Sequence, residues 1–213
     1  MKSPTGKLGW PNLEDLIYEI IDGKPIFYSK AHAVMQELLL VDELKFSESS
    51  QPGVLSAISQ FLWDNLPEAE YQIFTNGVGY EPDDLNHLEL DIAVCRQAVM
   101  KDQSLTKPLK VAPELVVLKD SVAGIDDPSR LLGYFHEKIK KIIDYGAHRL
   151  VWINTISQTI TIAEHDTAHW RIVDWEEEMD WIFDLRLSLE DILSESSFFP
   201  PRGAARSDDE QEA

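Results

Sequence analysis

Apolar residues in this chain fall into short runs divided by polar, Gly- or Pro-containing stretches, and the spacing inside each run separates strands from helices. Tyr18 to Tyr28 holds two β-prone runs around Asp22-Gly23, a dipeptide that predicts a hairpin. From His32 to Leu44 the positions Met35, Leu38, Leu39 and Asp42 keep helical spacing and predict a first helix. Ser49 and Ser50 ahead of Pro52 predict a capped start for a second, running through Val54, Leu55, Ile58, Phe61 and Leu62. Strands are expected near 71–78, 89–95 and 113–119. Asp126-Asp127-Pro128-Ser129 then supplies acids and a proline where a helix begins, and Leu131, Leu132, Phe135, Ile139, Ile142 and Ile143 mark a long amphipathic helix over 128–145 that Gly146 ends. Strands follow at 148–153, 159–162 and 170–173. A short closing helix over 187–193 is started by Ser188.

This order predicts an α/β fold: a central mixed sheet, the long helix on one face and the earlier helices on the other. With 213 residues the chain can bury one good core, so a single domain over 18–195 is expected, preceded by a flexible segment at 1–17 and followed by an acidic disordered tail at 196–213. No apolar stretch approaches the roughly 20 residues of a membrane span, and no signal core is present, which leads us to expect a cytoplasmic protein. The lone cysteine, Cys95, lies in an expected strand and reads as a small buried thiol. Net charge is −19, with five acids between Asp174 and Asp180, and such a field repels polyanions at long range. Avid nucleic-acid binding is therefore disfavoured, although a local metal-filled cleft can act against an acidic background.

Two apolar runs carry acids. They are Leu88-Glu89-Leu90-Asp91-Ile92-Ala93-Val94 and Ala112-Pro113-Glu114-Leu115-Val116-Val117-Leu118-Lys119-Asp120. Because strand side chains alternate, Glu114, Val116, Leu118 and Asp120 share one face and Lys119 takes the other. A magnesium-dependent phosphodiesterase needs two carboxylates on a hard cation and usually a lysine near the attacking water. Asp91 and Asp120 can supply the oxygens, and Lys138, bordering the apolar stripe of the long helix, can supply the ammonium or equally belong to a solvated face. Lys140 and Lys141 read as solvated. Glu19 is either a further ligand or an exposed strand acid, and Glu89 and Glu114 read as solvent-facing strand ends. The six histidines have no mutual metal-ligand spacing. Trp175 and Trp181, amid acids, either form an exposed self-association surface or cover their own core. The chain has no Gly-rich phosphate loop, no Gly-x-Ser-x-Gly elbow and no His-Glu-x-x-His helix.

Four stretches together carry a family resemblance. They are Tyr18-Glu19-Ile20-Ile21-Asp22-Gly23-Lys24-Pro25; Asn86 to Val94 with Asp91; Val111-Ala112-Pro113 before an apolar strand; and Lys138 through Tyr145-Gly146 to Leu150-Val151-Trp152-Ile153. From about residue 18 to 193 the chain resembles the Uma family of restriction endonucleases, within the PD-(D/E)XK nuclease superfamily. The resemblance implies a restriction-endonuclease-like central mixed sheet flanked by helices, DNA as substrate and Mg²⁺ as cofactor. It places the first-strand metal acid on Asp91 and the helix lysine on Lys138. The family's next strand carries Glu and, two residues on, Lys, Ser or Asp; here these positions are Leu118 and Asp120. Proline before the first acid is replaced by Leu90. Two functions follow as expectations: a magnesium-dependent DNA endonuclease using Asp91, Asp120 and Lys138, with Glu19 or Glu114 as accessory ligands, or a catalytically inactive nuclease-fold module for binding or assembly, with a second copy of the chain as one candidate partner.

Overall fold

The computed structural model describes residues 12–36, 38–40, 53–104, 106–119, 125 and 127–196. Residues 12–17, expected in the flexible leader, include a 3-10 turn, Leu13–Leu16, that buries Leu16. The hairpin β1 (Ile17–Ile21) and β2 (Lys24–Phe27) turns through Asp22 and Gly23, with φ of 50° and 73°. Positive φ at both positions is the type I′ requirement, and this is why Asp-Gly marks it.

The helix expected over His32–Leu44 is a correction. Among the described residues it is one short turn, α1 (Ala31–Met35), whose N-cap Lys30 makes no side-chain cap bond, while 41–44 lie outside the described residues. Its buried residues, Ala31 and Val34, meet only a small cluster around Leu16. Helical spacing without a cap or a broad surface to cover does not extend a helix. Ser49, Ser50 and Pro52 lie outside the described residues. The second helix, α2, spans Gly53–Asn65 as expected.

β3 (Tyr71–Asp83) and β4 (Asn86–Arg96) form a long antiparallel hairpin. β3 runs past its expected end because the Asn76-Gly77 step, at φ 69° and 79°, makes a bulge between Thr75 and Val78 and lets pairing resume. β5 (Leu115–Lys119) pairs antiparallel with β4 and parallel with β6 (Arg149–Asn154). The parallel step is crossed by α3 (Pro128–Asp144), whose N-cap Asp127 accepts from the amides of Ser129 at 2.8 Å and Arg130 at 3.4 Å. β7 (Thr159–Glu164) and β8 (Arg171–Asp174) complete the sheet, in the order β2-β1-β4-β5-β6-β7-β8 with β3 on the other edge of β4. The sheet is mixed but mostly antiparallel.

One face of the sheet is covered by α2 and α4 (Leu189–Glu195), through Val54, Ile58, Leu62, Leu189 and Ile192 against Ile92, Val117 and Val151. Ser188 caps α4, its hydroxyl accepting from the Asp191 amide at 3.1 Å. The other face is covered by α3, through Tyr134, Ile139 and Ile142 against Val116, Leu118, Leu150 and Trp152. A second hairpin, β9 (Met179–Ile182) and β10 (Leu185–Leu187), was not expected from sequence. It turns at Phe183, with φ 49° and no glycine to announce it. This hairpin also corrects the exposed reading of Trp175 and Trp181, which are 7% and 0% exposed; Trp181 donates its indole N–H to the Leu187 carbonyl. Both tryptophans belong to the core and offer no self-association surface.

Candidate functional site

The sheet forks at β4. Its outer edge pairs with β3 throughout, but the opposite edge is shared: Ile20 of β1 pairs with His87, while β5 pairs only with Ile92, Ala93 and Val94. Between these partners the main chain of Glu89 is bonded by side chains instead of a strand. Its amide donates to Glu19 Oε1 at 2.8 Å, and its carbonyl accepts from Lys138 Nζ at 2.8 Å. Buried backbone groups must find partners, and at this fork an acid from β1 and a lysine from α3 provide them.

Glu19 and Lys138 are also bonded to each other, as a buried ion pair. Glu19 is 0% exposed and Lys138 2%. The second Glu19 oxygen accepts from the Tyr134 hydroxyl at 2.7 Å. The ammonium lies 5.5, 5.9 and 5.7 Å from the ring centres of Tyr18, Tyr134 and Trp152. This arrangement gives an enclosed cation an opposite charge, a carbonyl and three π faces, which is what desolvating a lysine requires. The exposed-acid reading of Glu19 and the solvated-face reading of Lys138 are both overturned. Lys141 is not free in solvent either, since it pairs with Asp22 at 2.5 Å; Lys140 is exposed, as expected.

Asp91 sits where β4 and β5 separate. The last ladder pair is Ile92 with Val117, and beyond it the Lys119 amide donates to Asp91 Oδ2 at 2.7 Å, so a side chain takes over from the strand. Burial pushes the Asp91 carboxyl above the usual aspartate range. The Lys119 amide bond and the Lys138 and Lys119 charges pull it back, and the Glu19 charge adds a smaller push upward. The same carboxylates, Glu19, Asp91 and Glu89, join burial in raising the Tyr18 hydroxyl. Asp91, Glu19 and Lys138 therefore share one electrostatic neighbourhood.

Register places Leu118 opposite Asp91, each one residue beyond the Ile92–Val117 pair, and Leu118 is 2% exposed. An apolar side chain thus occupies the β5 position facing the first acid. Asp120 lies outside the described residues. Glu114 is not part of this site: it stands at the far end of β5, bonded to Arg96 at 2.5 Å. Glu89 is mid-strand and not a strand end; its carboxylate lies 3.4 Å from His87 Nε2, while His87 Nδ1 lies 3.0 Å from Glu81. These two acids raise the His87 pKa. Cys95 is buried and its thiol is pushed up to about 12, which leaves it inert at neutral pH. Among the described residues no group of three or more His, Cys, Asp or Glu side chains could hold a metal ion, and no helix is long and apolar enough to cross a membrane.

Sequence reasoning named Glu19 only as one of two readings and did not single out Tyr134 at all. A signal for Glu19 was its place between apolar neighbours in a strand heading into the core. Tyr134 lies one turn before Lys138 on α3, an i, i+4 relation that puts both on the same side of the helix.

No family model matches the chain, and no curated protein matches it. Among solved structures it is similar to one described as "a putative nuclease belonging to DUF820" from Anabaena variabilis. The two share 14% sequence identity with a TM-score of 0.56, over 86% of this chain and 93% of the other. The chain therefore has the fold of that nuclease-described protein.

Proposed function

We propose that the chain is a divalent-metal-dependent nuclease that hydrolyses DNA phosphodiesters at the β4 fork, with Asp91 as the first metal acid, Asp120 as the second, and Lys138 as the fixed positive charge beside them. One observation carries this reading: an acid at the parting of two core strands and a lysine from the crossing helix come together in one place. The fold shared with a nuclease-described protein supports it.

Among the described residues Asp91 is the one carboxylate at the fork with an oxygen left for a hard cation, so this reading draws its second carboxylate from Asp120. A carboxyl whose proton affinity is raised by burial and by a second acid gains most from a dication, which reverses both effects. Leu118 offers no oxygen, and both oxygens of Glu19 are already hydrogen-bonded, so the second carboxylate in this reading is Asp120. Asp91 and Asp120 would hold the cation, which would supply Lewis-acid polarisation of a phosphoryl oxygen and a more acidic water. The chain's own residues do the rest. The Lys119 amide fixes the orientation of Asp91. Glu19 holds the Lys138 ammonium and Tyr134 steadies Glu19 through its second oxygen, so that the lysine charge favours ionised Asp91 and offsets negative charge developing nearby.

A second reading, a nuclease-fold module without catalysis that binds or assembles, is favoured by Leu118 and by the enclosure of Lys138. The two are separated by melting the protein in chelator and then in excess Mg²⁺ or Mn²⁺. A ligand at 100 times its Kd adds about 2.7 kcal/mol, which for a chain of this size raises Tm by roughly 5–10 °C. The nuclease reading expects that rise in the wild type and its loss in Asp91→Asn. The raised Asp91 pKa means that protons compete with the metal, so the rise is larger at pH 7 than at pH 5. An unchanged Tm with either metal removes the catalytic reading and leaves the module.

A further inference from the structure

A cleft of about 940 Å³ opens between α3 and the β6–β8 end of the sheet. Its lining differs from the fork's: the cleft draws on α3 and β6–β8, the fork on β1, β4, β5 and the other side of α3, and Trp152 lines the cleft while its ring lies 5.7 Å from Lys138 Nζ. The cleft is within the size range of small-molecule sites, which are mostly apolar with a few convergent polar groups. Its walls are aromatic. Trp170, Phe135 and Trp152 line it, Phe135 and Trp152 meeting edge to face at 4.5 Å, and the Trp170 ring lies 4.5 Å from that of His136. Its rim leaves Leu132 and Ile172 open to solvent, 59% and 69% exposed.

In a chain that carries −19 as a whole, the cleft lining balances Lys140 against a single carboxylate, Asp144, and adds three imidazoles, His136, His165 and His169, as hydrogen-bonding groups. His136 and Lys140 stand one helical turn apart on α3 and so extend to the same side. His165 is held by its Nδ1 contact, at 3.2 Å, with the Ile143 carbonyl. Threonines 159 and 161 from β7 and Asn154 from β6 supply neutral hydrogen-bonding groups on the sheet side.

We propose that this cleft binds a nucleoside monophosphate unit, its base against Trp170 and its phosphate against Lys140 and His136. A flat aromatic ring with one attached anion uses both features, because an aromatic wall stacks any base while the Lys140 ammonium and the imidazole N–H groups donate to an anion. A purely apolar ligand would leave the lysine and imidazoles unused, and an inorganic anion would leave the aromatic walls unused. The unit is either a free nucleotide or one residue of a nucleic-acid strand.

The test is calorimetric titration of the whole chain with dAMP, deoxyadenosine and a short thymidine oligonucleotide in the absence of divalent metal. Saturable dAMP binding is expected, with deoxyadenosine weaker. Trp170→Ala weakens dAMP at least about tenfold, the usual scale for losing one stacked base. Lys140→Glu weakens dAMP more than deoxyadenosine. An oligonucleotide tighter than dAMP identifies a strand as the source, and a weaker one identifies the free nucleotide. Absence of saturation with dAMP and with the oligonucleotide, equal affinity for dAMP and deoxyadenosine, or unaltered binding by Trp170→Ala overturns the proposal. Both variants keep the metal-dependent rise in Tm expected at the fork, so failure at one site is told apart from failure at the other.

Discussion

Replacing Glu19 by Ala is expected to destabilise the protein by about 3–5 kcal/mol, because it leaves the Lys138 ammonium buried without its counter-charge. The change also frees the Tyr134 hydroxyl and the Glu89 amide from their acceptor, so the loss belongs at the upper end of that range. For a chain of this size the shift in Tm is roughly 10 °C or more. A Glu19→Ala, Lys138→Met double variant removes both charges and keeps apolar bulk at the stem, and it is expected to melt above the single variant. The order of the two variants in urea denaturation is the decisive reading. If Glu19→Ala unfolds at the wild-type midpoint, the pair does not hold the fork together. If the double variant is the weaker, charge is not what the single variant loses.

The second large effect is at Leu118. This side chain packs on the α3 side of the sheet, opposite Asp91 and beside Trp152 in register, and is 2% exposed. Leu118→Glu puts a third carboxylate near Glu19 and Asp91, where one lysine already serves both. In chelator it is expected to cost several kcal/mol, since a buried charge without a partner is among the most costly changes a core can suffer. Mg²⁺ or Mn²⁺ is expected to recover a large part of that loss, because the new acid completes a two-strand carboxylate pair around a cation. The measurement is Tm of the variant with and without metal. Recovery specific to the variant places the metal between β4 and β5. An equal response in wild type and variant means that position 118 does not face the metal.

Much of the sheet and both well-formed helices, α2 and α3, were legible because their signals are local. Asp22-Gly23 marks its hairpin through the positive φ both residues take, and Asp127 with Pro128 starts α3 through caps within three residues. The shortened α1 shows the converse: apolar spacing at Met35, Leu38 and Leu39 resembles a helix, but the sequence does not reveal how small a surface is available to cover. The β9–β10 hairpin turns at Phe183 without a glycine or other turn residue, so nothing local announced it.

The site was legible by half. Asp91 and Lys138 were found through their places in a strand and a helix, and both lie at the fork. Glu19 stayed ambiguous because its fate depends on Lys138, 119 residues further along the chain. No periodicity in either segment reports a contact of that range. The fork itself depends on β1 and β5 sharing one edge of β4, which is a property of sheet order. Of the two readings of Trp175 and Trp181 the structure bears out the core one, which the acids flanking them in sequence could not decide.

The most direct test of the central claim is cleavage of supercoiled plasmid DNA by the purified full chain in Mg²⁺ or Mn²⁺, with Asp91→Asn measured alongside at equal concentration. Nicking or linearisation by the wild type, absent in chelator and lost by at least about a hundredfold in the variant, is the result predicted for an acid that holds the catalytic metal. No cleavage by the wild type, or equal cleavage by Asp91→Asn, would contradict it.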